Sequence, residues 1–241
     1  MDTLLHSEGD LSLPQSISDD SKRVAAFFDL DHTVVQGNTG TLYLRDLYAD
    51  GLITIGQLIQ VTWVLVRYKF AMVDMASLLA RAASMLQGTQ ESELQQRCQR
   101  LFDSKIQSKI SQAAVEAVRA HQRLGHVVVL LTAQSSYIAE PVCEKLQIPH
   151  VLCTRLESKD GLLTGKLAGP ACYGEGKCFW AKRFANENGI DISRSYFYTD
   201  SYSDLPMLEL VGDKLREARV PRVRKVGADL PNQARRQRIV S

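Results

Sequence analysis

A chain of 241 residues, 45% hydrophobic and 23% charged with only seven prolines, can bury one generous domain or a core domain carrying a smaller insertion, so globally disordered and fibrous classes are excluded. The net charge of +2 selects no partner class by itself. The five cysteines (Cys98, Cys143, Cys153, Cys172, Cys178) show neither CxxC spacing nor a Cys/His zinc pattern, which fits free thiols in a reducing cytosol and a cytoplasmic location.

Residues 1–22 are polar and acidic without sustained periodicity, which predicts a flexible leader and no secretory signal. RVAAFFDL (23–30) is a short apolar run that stops at charged residues, the pattern of a strand buried on both faces of a parallel sheet. Residues 38–124 then hold helical patterns and no good strand. Met72, Met75, Leu79, Ala82 and Leu86 fall on one helix face, and Gly88-Thr89 with Glu91 beyond marks a stop and a fresh start. The apolar stretch Leu58 to Val66, broken by Gln60 and Thr62, is too short for a membrane span, which needs about 20 residues.

Strand patterns return in HVVVLLT (126–132), PHVLCT (149–154) and SYFYTD (195–200), separated by helical stretches over 134–147, 175–189 and 203–211. Asp160-Gly161 lies at the turn of a predicted hairpin over 155–169. Strands alternating with helices imply an α/β fold: a Rossmann-like parallel sheet covered by helices on both faces, with an inserted all-helical cap. The expected division is a core domain over 23–37 and 110–227, a cap over 38–109, and a basic tail over 228–241. Around that tail, residues 214–238 carry nine Lys/Arg against two acids, a local balance of +7. A solvated end is its simplest reading, and contact with nucleic acid or an anionic membrane its less ordinary use.

Ligands of such sheets bind beyond the carboxyl ends of the strands. Three of the four predicted strands end on or beside chemically capable residues: Asp29 and Asp31, Thr132, and Asp200. Two acids two residues apart at a strand end can approach one site, where a cation or proton must neutralise them. His6, His121, His126 and His150 show no partner pattern, and Cys178 reads as buried rather than reactive. Gly174 and Gly176 serve loop geometry; no strand immediately precedes them, so they form no dinucleotide fingerprint.

The order FFDLDHTVV, VVVLLTAQS, GEGKCFWAKRF and YFYTDSYSDLPML resembles the four motifs of the haloacid dehalogenase superfamily over roughly residues 23–211. The helical insertion after the first motif, the GxGK sequence and the hairpin resemble its phosphoserine-phosphatase-like branch, subfamily IB. The resemblance implies a Mg2+-dependent phosphatase. Asp29 would be the nucleophile that forms an aspartyl-phosphate, and Asp31 the acid and then the base. Thr132, the Ala133 amide and Lys177 would hold the substrate phosphate. The metal would take Asp29, the Asp31 carbonyl and Asp200, with Asp204 direct or one shell out. Two positions depart from the branch: Asn38 replaces an acid that grips a substrate ammonium, and Ser203 stands where asparagine is usual. Asn38 is therefore a candidate specificity residue; a small phosphomonoester is implied, and the neutral amide counts against phosphoserine itself. A phosphotransferase on the same scaffold and a non-catalytic binding module using the basic tail are the alternatives.

Overall fold

The computed structural model describes residues 22–56, 59 and 75–211. The leader up to residue 21, the positions Leu58, Trp63, Leu65 and Met72, and the basic tail lie outside the described residues.

Four parallel strands form the sheet: β1 (Ala25–Phe28), β2 (Val127–Ser135), β3 (His150–Thr154) and, numbered after the hairpin strands, β6 (Tyr196–Tyr198). Their order across the sheet is β3-β2-β1-β6. Alternate residues of β1 and β2 supply two cores. Ala26, Phe28, Val128 and Leu130 point into one, and Ala25, Phe27, Val127, Val129 and Leu131 into the other. That is why the central strands read as unbroken apolar runs rather than alternating ones. Phe28 lies opposite both Leu130 and Tyr198, so the pairing of β1 with its two neighbours ends along one rim.

Helices α1 (Thr39–Ala49), α2 (Met75–Ser84), α3 (Glu91–Leu101) and α4 (Gln112–Arg123) lie between β1 and β2 in sequence. A π-turn (Phe102–Ile106) and a 3-10 turn (Gln107–Lys109) join the last two. Leu94, Cys98 and Leu101 bury one face of α3 in the same core as Tyr137 and Ile138 of α5 (Ser136–Leu146). Ion pairs Arg97–Asp50 (2.7 Å) and Lys105–Asp46 (2.6 Å) tie α1 to that helix and the turn after it. The helical stripe differs from expectation at one place: Ala82 is exposed and Ala83 is buried, because α2 turns its 75, 79, 83 face inward.

The hairpin pairs β4 (Leu156–Lys159) with β5 (Leu162–Leu167), and Asp160 and Gly161 both have positive φ at its turn. Its second strand rests on α2 and the turn after it, where a Cβ on Gly165 would come 2.9 Å from that of Gln87. After the hairpin come α6 (Glu175–Glu187), β6 and α7 (Leu205–Leu210). Ala181 and Ala185 of α6, with Met207 of α7, close the second core.

Two local expectations are corrected. The helix expected from residue 134 begins at Ser136, because β2 continues through Ser135. The histidines at 121 and 126 are partnered across 2.8 Å (Nδ1 to Nδ1), and His121 Nε2 lies 2.9 Å from the Tyr198 hydroxyl. Only the fold puts His121 against Tyr198 of β6 and the residue before β2, so no spacing in the sequence could reveal that trio.

Candidate active site

The first acidic pair follows β1 directly. Asp29 donates its amide to the Tyr198 carbonyl (2.9 Å), which continues the sheet one residue past the strand. The Leu30 carbonyl then accepts from the amides of Thr33, Val34 and Val35, a tight turn that His32 enters with a φ of 59° and an exposed side chain. The turn buries Thr33, Val34 and Val35 and leaves Asp29 only 7% exposed.

Lys177 comes to the same point from the third residue of α6. The Gly174 cap has φ 51°, and a Cβ on Gly176 would overlap the Ala171 carbonyl, so the loop enters this helix only through glycine. The Lys177 ammonium is 2% exposed and donates to Asp29 Oδ1 (2.8 Å) and Asp204 Oδ2 (2.7 Å). Burial pulls its proton affinity down, but the Asp29 and Asp204 carboxylates together outweigh that and hold the proton more tightly than in an ordinary lysine. Burial pushes the Asp29 carboxyl up to about 6; the Lys177 ammonium opposes this and Asp204 adds to it. One ammonium thus serves two buried carboxylates.

Asp204 is fixed by a further bond from the Thr199 hydroxyl (2.6 Å) and is 1% exposed. Its Oδ1 is buried without a hydrogen-bond partner. Asp200 lies at the open side of the cluster, with its Oδ1 3.5 Å from the Thr33 hydroxyl. Among the described residues no three His, Cys, Asp or Glu side chains form a metal site by themselves. The expected set differs in kind: it joins carboxylates to the Asp31 backbone carbonyl and leaves places for water. A negative excess, an orphaned buried carboxylate oxygen and hard oxygen donors suit Mg2+.

Thr132 and Ala133 sit in a bulge. Pairing of β2 with β3 runs from Leu131–Leu152 to Ser135–Thr154, so three residues of β2 face one of β3. Inside it the Thr132 hydroxyl accepts from the Gln134 amide (3.2 Å), so its own hydrogen remains to be donated outward.

Asp31 points at the N-terminus of α1. Its Oδ1 accepts from the Thr39 amide (2.8 Å) and hydroxyl (2.6 Å), and its Oδ2 from Asn38 Nδ2 (3.0 Å) and Gln134 Nε2 (2.7 Å). Asn38 is the N-cap of α1, its Oδ1 accepting from the Thr41 amide (2.8 Å). Sequence reasoning did not single out Thr39, Gln134 or Thr199. Each is adjacent or close to a motif residue, but only the folded backbone aims it at a carboxylate.

The sequence matches the haloacid dehalogenase-like hydrolase family over residues 26–209. The chain belongs to that family. Among curated relatives of this hydrolase, the phosphoserine phosphatase SerB1 of Mycobacterium tuberculosis is 30% identical over 219 residues, covering 86% of this chain and 70% of that protein. A histidinol-phosphatase of Neisseria meningitidis is 27% identical, covering 78% and 87%. A solved protein of unknown function from Bordetella pertussis superposes with a TM-score of 0.71 at 25% identity, covering 78% of this chain and 87% of that one. The phospho-aspartyl intermediate analogue of a phosphoserine phosphatase superposes at 0.58 with 21% identity, covering 78% and 83%, which shows the common fold. Among the described residues no helix is long and apolar enough to cross a membrane.

Proposed function

We propose that this haloacid dehalogenase-like hydrolase is a Mg2+-dependent phosphatase that cleaves a small phosphomonoester through an aspartyl-phosphate on Asp29. One observation carries the reading: a buried Lys177 joins Asp29 and Asp204, 148 and 27 residues away in sequence, at the rim where the strands end. A structural ion pair does not need two carboxylates on one ammonium, and burying that excess is costly without a further cation.

An Asp29 oxygen attacks phosphorus and the bond to the leaving oxygen breaks, with Asp31 giving that oxygen a proton. Water then attacks the same phosphorus, Asp31 takes the proton, and Asp29 is restored as inorganic phosphate forms. The Thr132 hydroxyl, the Ala133 amide and Lys177 hold the equatorial oxygens as charge moves onto them. Asp29, the Asp31 carbonyl and Asp200 would hold Mg2+, with Asp204 behind them, and the ion supplies positive charge against two anions that would otherwise repel.

The helical insertion acts as the cap, and α1 enters it directly from the Asp31 turn. Asn38 spends its carbonyl on Thr41 and donates to Asp31, so it offers no carboxylate to a substrate ammonium. The substrate class is therefore a small phosphomonoester without an obligatory amino group.

The test is hydrolysis of 4-nitrophenyl phosphate with Mg2+ present. Asp29→Asn, which keeps the shape and removes the nucleophile, should lower kcat by at least about 1,000-fold, as should chelating the metal. Retained activity in that variant would remove Asp29 from its role. Adding an alcohol acceptor and measuring transferred phosphate separates hydrolysis from phosphotransfer.

A further inference from the structure

We infer that Gln134 is the positioning residue for the Asp31 carboxyl, holding the acid/base from the far side of the cleft; this rests on the phosphatase reading above. A carboxylate has about four lone-pair positions, and here four donors fill them: two from Thr39 on Oδ1, and Asn38 and Gln134 on Oδ2.

Three of the four donors are anchored to the start of α1. The Thr39 amide is backbone, and Asn38 cannot turn its amide over because its Oδ1 holds the Thr41 amide and hydroxyl (2.8 and 3.0 Å). Gln134 differs in kind. It reaches across from the β2 bulge, 103 residues away in sequence, at 2.7 Å. No other side-chain bond of its amide competes among the described residues. Its bond is therefore the contact that ties the Asp31 carboxyl to the β2 bulge.

The space for this crossing comes from Gly40 in the first turn of α1. A Cβ there would sit 3.3 Å from both Gln134 Nε2 and Asn38 Oδ1, tighter than an ordinary contact. Gln134 also follows the two residues proposed to bind phosphate, and its backbone amide bonds the Thr132 hydroxyl. One short segment therefore orients both the phosphate and the proton donor.

The experiment compares kcat/KM for glycerol 2-phosphate, whose alkoxide must be protonated as it leaves, with 4-nitrophenyl phosphate, whose phenolate departs without help. Gln134→Met keeps the length and removes both amide atoms. It should lower the alkyl value about 10-fold and the aryl value by less than about 3-fold, a fraction of what a general acid contributes. In an Asp31→Asn background the same substitution should leave the alkyl-to-aryl ratio unchanged, because Gln134 acts through Asp31. Equal losses on both substrates, no loss on either, or a ratio that still moves in the Asp31→Asn background would overturn the inference. If Gln134→Met does not fold, Gln134→Asn keeps the amide, shortens its reach by one methylene, and gives the same reading. A wild-type protein inactive on both substrates sinks the phosphatase reading and this inference together; an active one whose ratio does not respond sinks the inference alone.

Discussion

Lys177 has two partners, and that sets the consequence of removing it. Lys177→Met would leave Asp29 and Asp204 buried side by side with no counter-charge, at a cost of about 3–5 kcal/mol. Urea unfolding without metal should show that loss, smaller at acid pH where the carboxyls take up protons. His121 makes the opposite kind of prediction. Burial first, and then the neighbouring His126, hold it neutral and lower its pKa from 6.5 to about 4. Its surroundings are the His126 and Tyr196 rings, the Phe28 ring and the Tyr198 hydroxyl, none of them an anion. Its folded pKa lies below its unfolded one, so the unfolded chain takes the proton first. The stabilising contribution, ~3 kcal/mol, is complete above pH 6.5 and lost as pH falls toward 4. His121→Phe should flatten unfolding free energy against pH across that window, and an unchanged slope would refute the assignment.

At the scale of elements, the site depends on short irregularities rather than on the regular pieces. The β2 bulge frees Thr132, Ala133 and Gln134 from the ladder, and the turn on the Leu30 carbonyl brings Asp31 to the N-terminus of α1. The entry to α6 is the tightest of these. Gly176→Ala would drive a methyl into the Ala171 carbonyl, which must shift the loop that delivers Lys177. We expect a loss of about 2–4 kcal/mol in urea unfolding together with a fall in kcat, whereas a site that merely tolerates glycine would show neither. The strand positions and the hairpin turn were legible because apolar runs and Asp-Gly turns are local signals. The bulge was not: VVVLLTAQS continues smoothly into a helical pattern, and only pairing with β3 reveals the extra residues.

For the whole molecule, the parallel sheet is what brings distant segments to one rim. Phe28 faces Leu130 and Tyr198, so residues 29, 132 and 200 all lie just past the end of that three-strand pairing. The negative excess gathered there predicts that Mg2+ stabilises the folded chain by binding it and not the unfolded one. Thermal unfolding should move upward with millimolar Mg2+ in wild type, and Asp200→Asn should lose most of that shift. An equal shift in both proteins would place the ion elsewhere.

The α/β class and the strands were readable from order and local pattern, since burial on both faces of a strand and a polar residue at its end leave marks within a few positions. The family resemblance also rested on motifs whose spacing survives in one dimension. What the chain alone left open was mutual: which ammonium serves which carboxylates, that Asn38 caps α1 while donating to Asp31, that His121 finds His126 and Tyr198, and that Gln134 reaches Asp31 from the β2 bulge. Those bonds depend on directions set by a bulge, a tight turn and helix packing. Hydrogen bonds are directional over a few tenths of an ångström, and only tertiary structure specifies direction at that scale.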